Sequence, residues 1–333
     1  MNSVYLGDCR ECIRGLIAAG LRVQCIVTSP PYFGLRDYGV AGQIGLEETP
    51  DEYVAKMVDV FRLARDLLRE DGTLWLNLGD SYAGSWGSQG RQGNTGQMAG
   101  RSVADARDRS KIQAARIEAG AHPSKISRTG ATQGTGYKAK DLMGIPWRVA
   151  FALQADGWWL RQDVIWHKPN AMPASVRDRC TTAHEYLFLL TKNARYYYDA
   201  DAIAERAVSE HPSGNGFAGR QGGAEHMPMS GGEGAQEQWT PTGKRNRRSV
   251  WTIPTQPYPG AHFATFPEAL VEPCILAGSR AGDVVFDPFM GSGTVAAVAQ
   301  RLGRKWLGCE LNPAYGELIE QRVRGTPGLE FVA

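Results

Sequence analysis

The 333-residue chain contains no run of 18 apolar residues, and its first residues, MNSVYLGDCRECIRG, lack a basic segment followed by an apolar one. Neither a membrane-spanning helix nor a secretory leader is expected, which points to a cytoplasmic protein. Cysteine is scarce. Six in so long a chain make no disulfide framework. Cys9 and Cys12 form one C-x-x-C without a second pair or a histidine pair at ligand spacing, so no metal is expected. An excess of one charge is also missing: 37 Lys and Arg face 35 Asp and Glu, for a net charge of +2. The glycine turn at Gly291–Gly293 is followed by no lysine and is not a phosphate-cradling loop.

Charge distribution says more than charge total. Between Ser85 and Lys140 ten Lys and Arg stand against three Asp and Glu in a Gly-, Ser- and Gln-rich context, and GKRNRRSVW forms a second cluster at Gly243–Trp251. Basic, glycine-rich segments within a balanced protein suggest loops facing a polyanion. Elsewhere strand-like and helix-like patterns alternate. SVYLG, VQCIVTS and GTLWLNLGD read as strands. PDEYVAKMVDVFRLARDLLRE carries a helical stripe with Asp51 and Glu52 in its first turn. IPWRVAFALQADG and FPEALVEPCILAGS read as helices around the strands WWLRQDVIWHKPN and HEYLFLLTKN. The chain then ends as strand, glycine turn, helix, strand, helix. Such alternation predicts an α/β fold with a doubly wound, mostly parallel sheet. The expected organisation is 1–82 and 141–199 as one part of that fold and 261–333 as its cofactor half. Residues 83–140 and 200–260 are irregular insertions.

Two motifs carry chemistry. In CIVTSPPYFGLRDYG the strand must stop at Ser29, because Pro30 and Pro31 donate no backbone hydrogen bond and fix their φ angles. The result is a stiff tip presenting a hydroxyl, carbonyls and the Tyr32 ring. In VVFDPFMGSGT a carboxylate, Asp287, ends a strand, and Gly291 and Gly293 let a ligand approach the backbone before the next helix. The following strand, WLGCELNP, ends in Glu310, an acid placed to accept ribose hydroxyls. With no cation in the turn, an adenosine without phosphates is the expected ligand.

Together, TSPPY and DPFMGSGT resemble the catalytic and cofactor motifs of DNA amino-methyltransferases that use S-adenosylmethionine. The catalytic motif comes first, as in the family's circularly permuted β group. The resemblance implies a seven-stranded Rossmann-like methyltransferase sheet with target recognition in the insertions. It implies catalytic roles for Ser29, Pro30, Pro31 and Tyr32. Cofactor contacts fall to Asp8, Cys9, Thr28, His262, Phe263, Phe266, Pro267, Asp287, Pro288, Phe289, Gly291, Ser292, Gly293, Thr294, Glu310, Leu311 and Asn312. Arg36, Lys168, Lys244, Arg245, Arg247 and Arg248 are candidate DNA contacts. A base inside a duplex must be flipped out to reach such a site. A serine first in the motif resembles enzymes of cytosine N4, with adenine N6 and, less directly, RNA as alternatives. Double-stranded DNA is the expected partner; a homodimer and a cognate restriction endonuclease fit the resemblance too.

Other residues have both a structural and a functional reading. Carbon-5 cytosine chemistry would need a nucleophilic cysteine, and Cys274 in EPC lies inside a helical pattern, where a buried structural thiol is expected. Asp80 reads equally as a site carboxylate or a strand end. Trp166 reads as packing, and Tyr196–Tyr198 as core or interface tyrosines.

Overall fold

The computed structural model describes residues 2–83, 137–138, 140–206, 243–256 and 266–326. Most of the two expected insertions lies outside these residues, as do His262 and Phe263. In chain order the strands are β1 (Ser3–Leu6), β2 (Val23–Thr28), β3 (Leu68–Leu78), β4 (Trp159–His167), β5 (His184–Thr191), β6 (Glu205–Arg206), β7 (Lys244–Arg245), β8 (Val250–Thr252), β9 (Val284–Asp287) and β10 (Lys305–Glu310). The helices are α1 (Cys9–Ala18), α2 (Pro50–Leu67), α3 (Ile145–Ala155), α4 (Glu268–Gly278), α5 (Thr294–Arg301) and α6 (Tyr315–Arg324).

Eight strands form one sheet in the order β1-β10-β9-β2-β3-β5-β4-β8. From β1 to β3 every neighbouring pair is parallel, β5 is antiparallel to both β3 and β4, and β8 runs parallel to β4. This is the expected mostly parallel, permuted sheet with one strand added. The addition, β8, falls in a stretch read as irregular. Three residues are too short to show a period, and its pairing is set by the free edge of β4. The same stretch also holds the short antiparallel ladder of β6 with β7.

Strand alternation builds a core on each face. Val23, Ile26, Leu74, Leu76, Val284 and Phe286 join the core under α1, α2 and α3. Cys25, Val27, Trp75 and Val285 join the one under α4, α5 and α6. Helix α2 starts at a reciprocal capping box between Thr49 and Glu52 with Pro50 in its first turn, an arrangement worth about 1 kcal/mol. It buries Tyr53, Met57, Val60, Phe61, Ala64 and Leu67.

Helix α1 was not predicted. Asp8 is its N-cap and Cys9, Ile13 and Leu16 its buried stripe. Gly15 and two cysteines dilute the helical signal, while the stripe is only three residues deep.

All strand ends that matter lie on one edge of the sheet. Parallel pairing puts the carboxyl ends of β1, β10, β9, β2 and β3 there, and antiparallel pairing adds the start of β5 and the end of β4. Ligands of open α/β sheets bind in such a crevice.

Candidate active site

The two motifs are 259 residues apart in sequence but end adjacent strands. Cys25 and Ile26 of β2 pair with Val285 and Phe286 of β9. Just beyond that pairing, the buried Thr28 hydroxyl donates to Asp287 Oδ1 at 2.6 Å. That oxygen also accepts Phe289 N–H at 2.9 Å, which shapes the turn after β9. Within the turn Gly293 has φ +82°, and a side chain there would meet Ile319 of α6 at 3.2 Å. Arg322 donates to the Ser292 and Thr294 hydroxyls at 3.0 and 2.9 Å, tying the turn to α6.

A cleft of about 1130 Å³, open to solvent, lies between this turn and the Ser29 tip. Of the expected cofactor residues, Asp8, Cys9, Phe266, Pro288, Phe289, Gly291, Ser292, Thr294, Glu310, Leu311 and Asn312 line it. Thr28, Asp287, Pro267 and Gly293 do not. Thr28 and Asp287 are wholly buried behind the wall and brace it, Pro267 caps α4, and Gly293 caps α5. Asp8 reaches the cleft as the α1 cap, its carboxylate accepting from Arg10 N at 2.8 Å and held below its ordinary range chiefly by the Arg10 guanidinium. Glu310 accepts Gly291 N–H and Asn312 N–H, each at 2.8 Å, one on either oxygen. Each oxygen keeps a lone pair for another donor, although burial raises the pKa of this carboxyl.

Asp287 Oδ2 is buried without a partner among the described residues, and burial pushes this carboxyl up to about 7 from an ordinary 3.8. The folded state therefore binds more protons than the unfolded chain between those values. Stability from this group is greatest below about 3.8 and falls as pH rises towards 7. In unfolding measurements from about pH 4 to 7, an Asp287→Asn protein is expected to lose a slope of up to about 1.4 kcal/mol per pH unit that the parent shows. Parallel curves for the two proteins would contradict the assignment.

One wall of the cleft was not foreseen. Residues 34–47 fold back over it and contribute Tyr38, Val40, Gly42, Gln43 and Ile44. Gln43 closes this strap, accepting from Tyr38 N at 2.7 Å and donating to the Arg36 carbonyl at 3.0 Å. Gly34 N–H donates to the Gly45 carbonyl at 2.7 Å. No hydrophobic period marks such a segment; only its glycines signal it.

A second cleft opens on the far side of the tip, lined by Ser29, Pro30, Tyr32, Arg36, Asn77, Trp166, Lys168, Glu185 and Gln256, among others. Ser29, Tyr38 and Phe266 line both clefts. The tip is braced from below, where the Tyr53 hydroxyl donates to the Pro31 carbonyl at 2.9 Å. The Tyr32 ring lies so close over Gly79 that a side chain there would sit 2.6 Å from it. Tyr32 OH donates to Glu185 Oε2 at 2.8 Å. Lys168 pairs with Glu185 and stands 4.2 Å over the centre of the Trp166 ring. Asn77 and Glu185 are the functional candidates the sequence reading missed. A polar residue inside a strand was their only signal.

The remaining candidates separate. Arg36 and Lys168 line the second cleft. Arg245 and Arg248 ion-pair with Glu205, and Arg247 lies 4.4 Å over the Trp251 ring. Lys244–Arg248 precede β8, which pairs with the last three residues of β4. Asp80 Oδ1 accepts from Ser81 N and Ile145 N, serving the start of α3. Cys274 is buried in α4, its thiol donating to the Leu270 carbonyl and its pKa raised by burial, as expected of a structural cysteine. Trp166 is buried with its ring N–H on the Ile253 carbonyl. Tyr198 stacks on the core Trp75.

Comparison with known proteins agrees with this geometry. The family model described as DNA methylase, for N6 and N4 methyltransferases, matches residues 23–321. The type II methyltransferase M.SmaI of Serratia marcescens is 44% identical over 320 residues, covering 96% of this chain and 90% of that protein. In fold, the cytosine-N4-specific PvuII DNA methyltransferase superposes with TM-score 0.58 at 18% identity, over 96% of this chain and 85% of that one. A Thermus thermophilus protein solved with S-adenosyl-L-methionine gives 0.55 at 21% identity, over 98% and 96%. A strand-end clamp and a glycine turn side by side, in a chain matched along nearly its whole length, place this protein in the N6/N4 DNA methylase family of S-adenosylmethionine-dependent DNA amino-methyltransferases.

Proposed function

We propose that the protein methylates the exocyclic N4 amine of a cytosine flipped out of duplex DNA, with S-adenosylmethionine in the first cleft and the base in the second. The observation that carries this reading is Ser29, which borders both clefts. The first cleft suits the cofactor's chemistry. Its described lining includes two carboxylates, Asp8 and Glu310, and no lysine or arginine, which suits a sulfonium-bearing adenosine and disfavours a polyphosphate. Phe266, Phe289, Leu311 and Tyr315 supply apolar walls for an adenine ring, and Glu310 the acceptors for its ribose. When bound, the cofactor supplies an electrophilic methyl group on a cationic sulfur.

The chain's own residues position and polarise the amine. Its lone pair is delocalised into the ring and nucleophilic only when the nitrogen pyramidalises. Ser29 Oγ and the Pro30 carbonyl accept its N–H hydrogens and favour that geometry, and Pro30 and Pro31 hold the carbonyl still. The nitrogen pair would form the new bond to the methyl group that the cofactor supplies, and the methylated amine would then shed one proton to water. Lys168 can donate to a ring acceptor of the base, and Tyr32 and Trp166 flank it. A hydroxyl at the head of the motif, in place of a carboxylate, supports cytosine over adenine. Mass spectrometry of nucleosides from DNA treated with enzyme and deuteriomethyl-labelled cofactor tests this. Methylation at cytosine N4 is expected, methylation at adenine N6 would overturn the base assignment, and label confined to RNA would overturn the substrate.

DNA contacts follow the same edge. The connection from β4 to β5, residues 168–183, leaves the sheet at the clefts and carries Arg177 and Arg179, the latter 3.8 Å over the Tyr82 ring. An Arg177→Ala/Arg179→Ala protein is expected to bind duplex DNA more weakly, with a salt slope shallower by about 1 to 2. An unchanged slope would place the phosphate contacts elsewhere.

A further inference from the structure

We infer that Asn77, oriented by Glu185, is a positioning residue that turns the Ser29 hydroxyl so that its lone pairs face the base. The inference rests on the role given to Ser29 above. Asn77 is 1% exposed, near the carboxyl end of β3. Its amide nitrogen donates to Glu185 Oε2 at 3.2 Å and to the Tyr186 carbonyl at 3.1 Å. Carboxylate and carbonyl only accept, so the direction of the amide is fixed and both its hydrogens are used. Its oxygen must therefore face the two hydroxyls, at 3.2 Å from Ser29 Oγ and 3.0 Å from Tyr32 OH.

Two hydroxyl hydrogens now have to be shared among these oxygens. Tyr32 OH is closest to Glu185 Oε2, at 2.8 Å, and a bond to a carboxylate is the stronger one. Burial, with the Glu185 charge adding to it, holds the Tyr32 phenol far above its ordinary range, so it keeps that proton. Ser29 is then left to donate to Asn77 Oδ1 at 3.2 Å, with Tyr32 OH at 3.3 Å as its only other neighbour in the network. Either way its hydrogen points into the protein. Both lone pairs remain for the amine, which needs an acceptor. Lys168, paired with the other oxygen of Glu185, holds that carboxylate in place. Glu185 comes from β5, antiparallel to β3, so the network is laid across neighbouring strands.

Four proteins test this: the parent, Asn77→Ala, Ser29→Ala and the double variant. Each is assayed for methyl transfer to unmodified plasmid DNA at saturating cofactor, with cofactor affinity measured separately. Asn77→Ala is expected to lower kcat about 10-fold where Ser29 is present, as for loss of one hydrogen bond. In the Ser29→Ala background it should lower kcat by less than about twofold, since there is no hydroxyl left to orient. Cofactor affinity should be unchanged throughout. Equal losses in both backgrounds, or an affinity loss as large as the rate loss, would overturn the role of Asn77. A Ser29→Ala protein as fast as the parent would instead overturn the reading of Ser29. Should Asn77→Ala fail to fold, Asn77→Ser, which withdraws the same acceptor from Ser29, runs the same cycle with the same expectation.

Discussion

A Ser29→Ala enzyme is expected to turn over about 10- to 100-fold more slowly at saturating cofactor and DNA, the equivalent of about 1.5 to 3 kcal/mol of transition-state stabilisation. The hydroxyl accepts from a nitrogen that gains positive charge as the methyl group arrives. Its bond therefore strengthens along the reaction, and its loss falls on kcat and not on ground-state affinity. The fold should tolerate the change, because Tyr32 OH stays bonded to Glu185 and Tyr53 still holds the Pro31 carbonyl. Initial rates together with cofactor titration check this. An affinity loss equal to the rate loss would mean that Ser29 serves the first cleft.

Glu310→Gln is expected to fail in the opposite way. Cofactor Kd should rise by about 100-fold while kcat at saturation stays within about threefold. An amide offers one acceptor oxygen where the carboxylate offers two. The substituted side chain would thus face a donor with a donor, at either Gly291 N–H or Asn312 N–H. The bond to the ribose is weakened and the glycine turn loosened together. Calorimetric titration reads the first effect. Unaltered cofactor affinity would remove Glu310 from the binding site.

Legibility followed the range of the interaction. Ser29–Tyr32 and Asp287–Thr294 could be read because prolines and glycines act on their own backbone, and two stiff tips at strand ends announce a crevice. The roles of Thr28 and Asp287 could not. Both belong to readable motifs, yet only the pairing of β2 with β9 shows that they face each other behind the cleft wall. Asn77 and Glu185 were silent for the same reason, being 108 residues apart and meaningful only as partners. Charge counting cannot see that Arg245 and Arg248 ion-pair with Glu205. It is equally blind to topology, which delivers Arg177 and Arg179, two cations in an ordinary loop, to the clefts. Helix α1 escaped because Asp8 was read as a ligand contact, although it is also an N-cap.

The hydroxyl of Thr28 on the carboxylate of Asp287 has a bearing on how this fold is threaded. Donor and acceptor halves of the reaction are aligned by lateral contact between two neighbouring strands, and nothing in that contact depends on which strand is synthesised first. Opening the polypeptide at one place and rejoining it at another leaves the alignment intact, provided the two strands still lie side by side. A reordered chain can therefore carry the same chemistry without relearning its geometry.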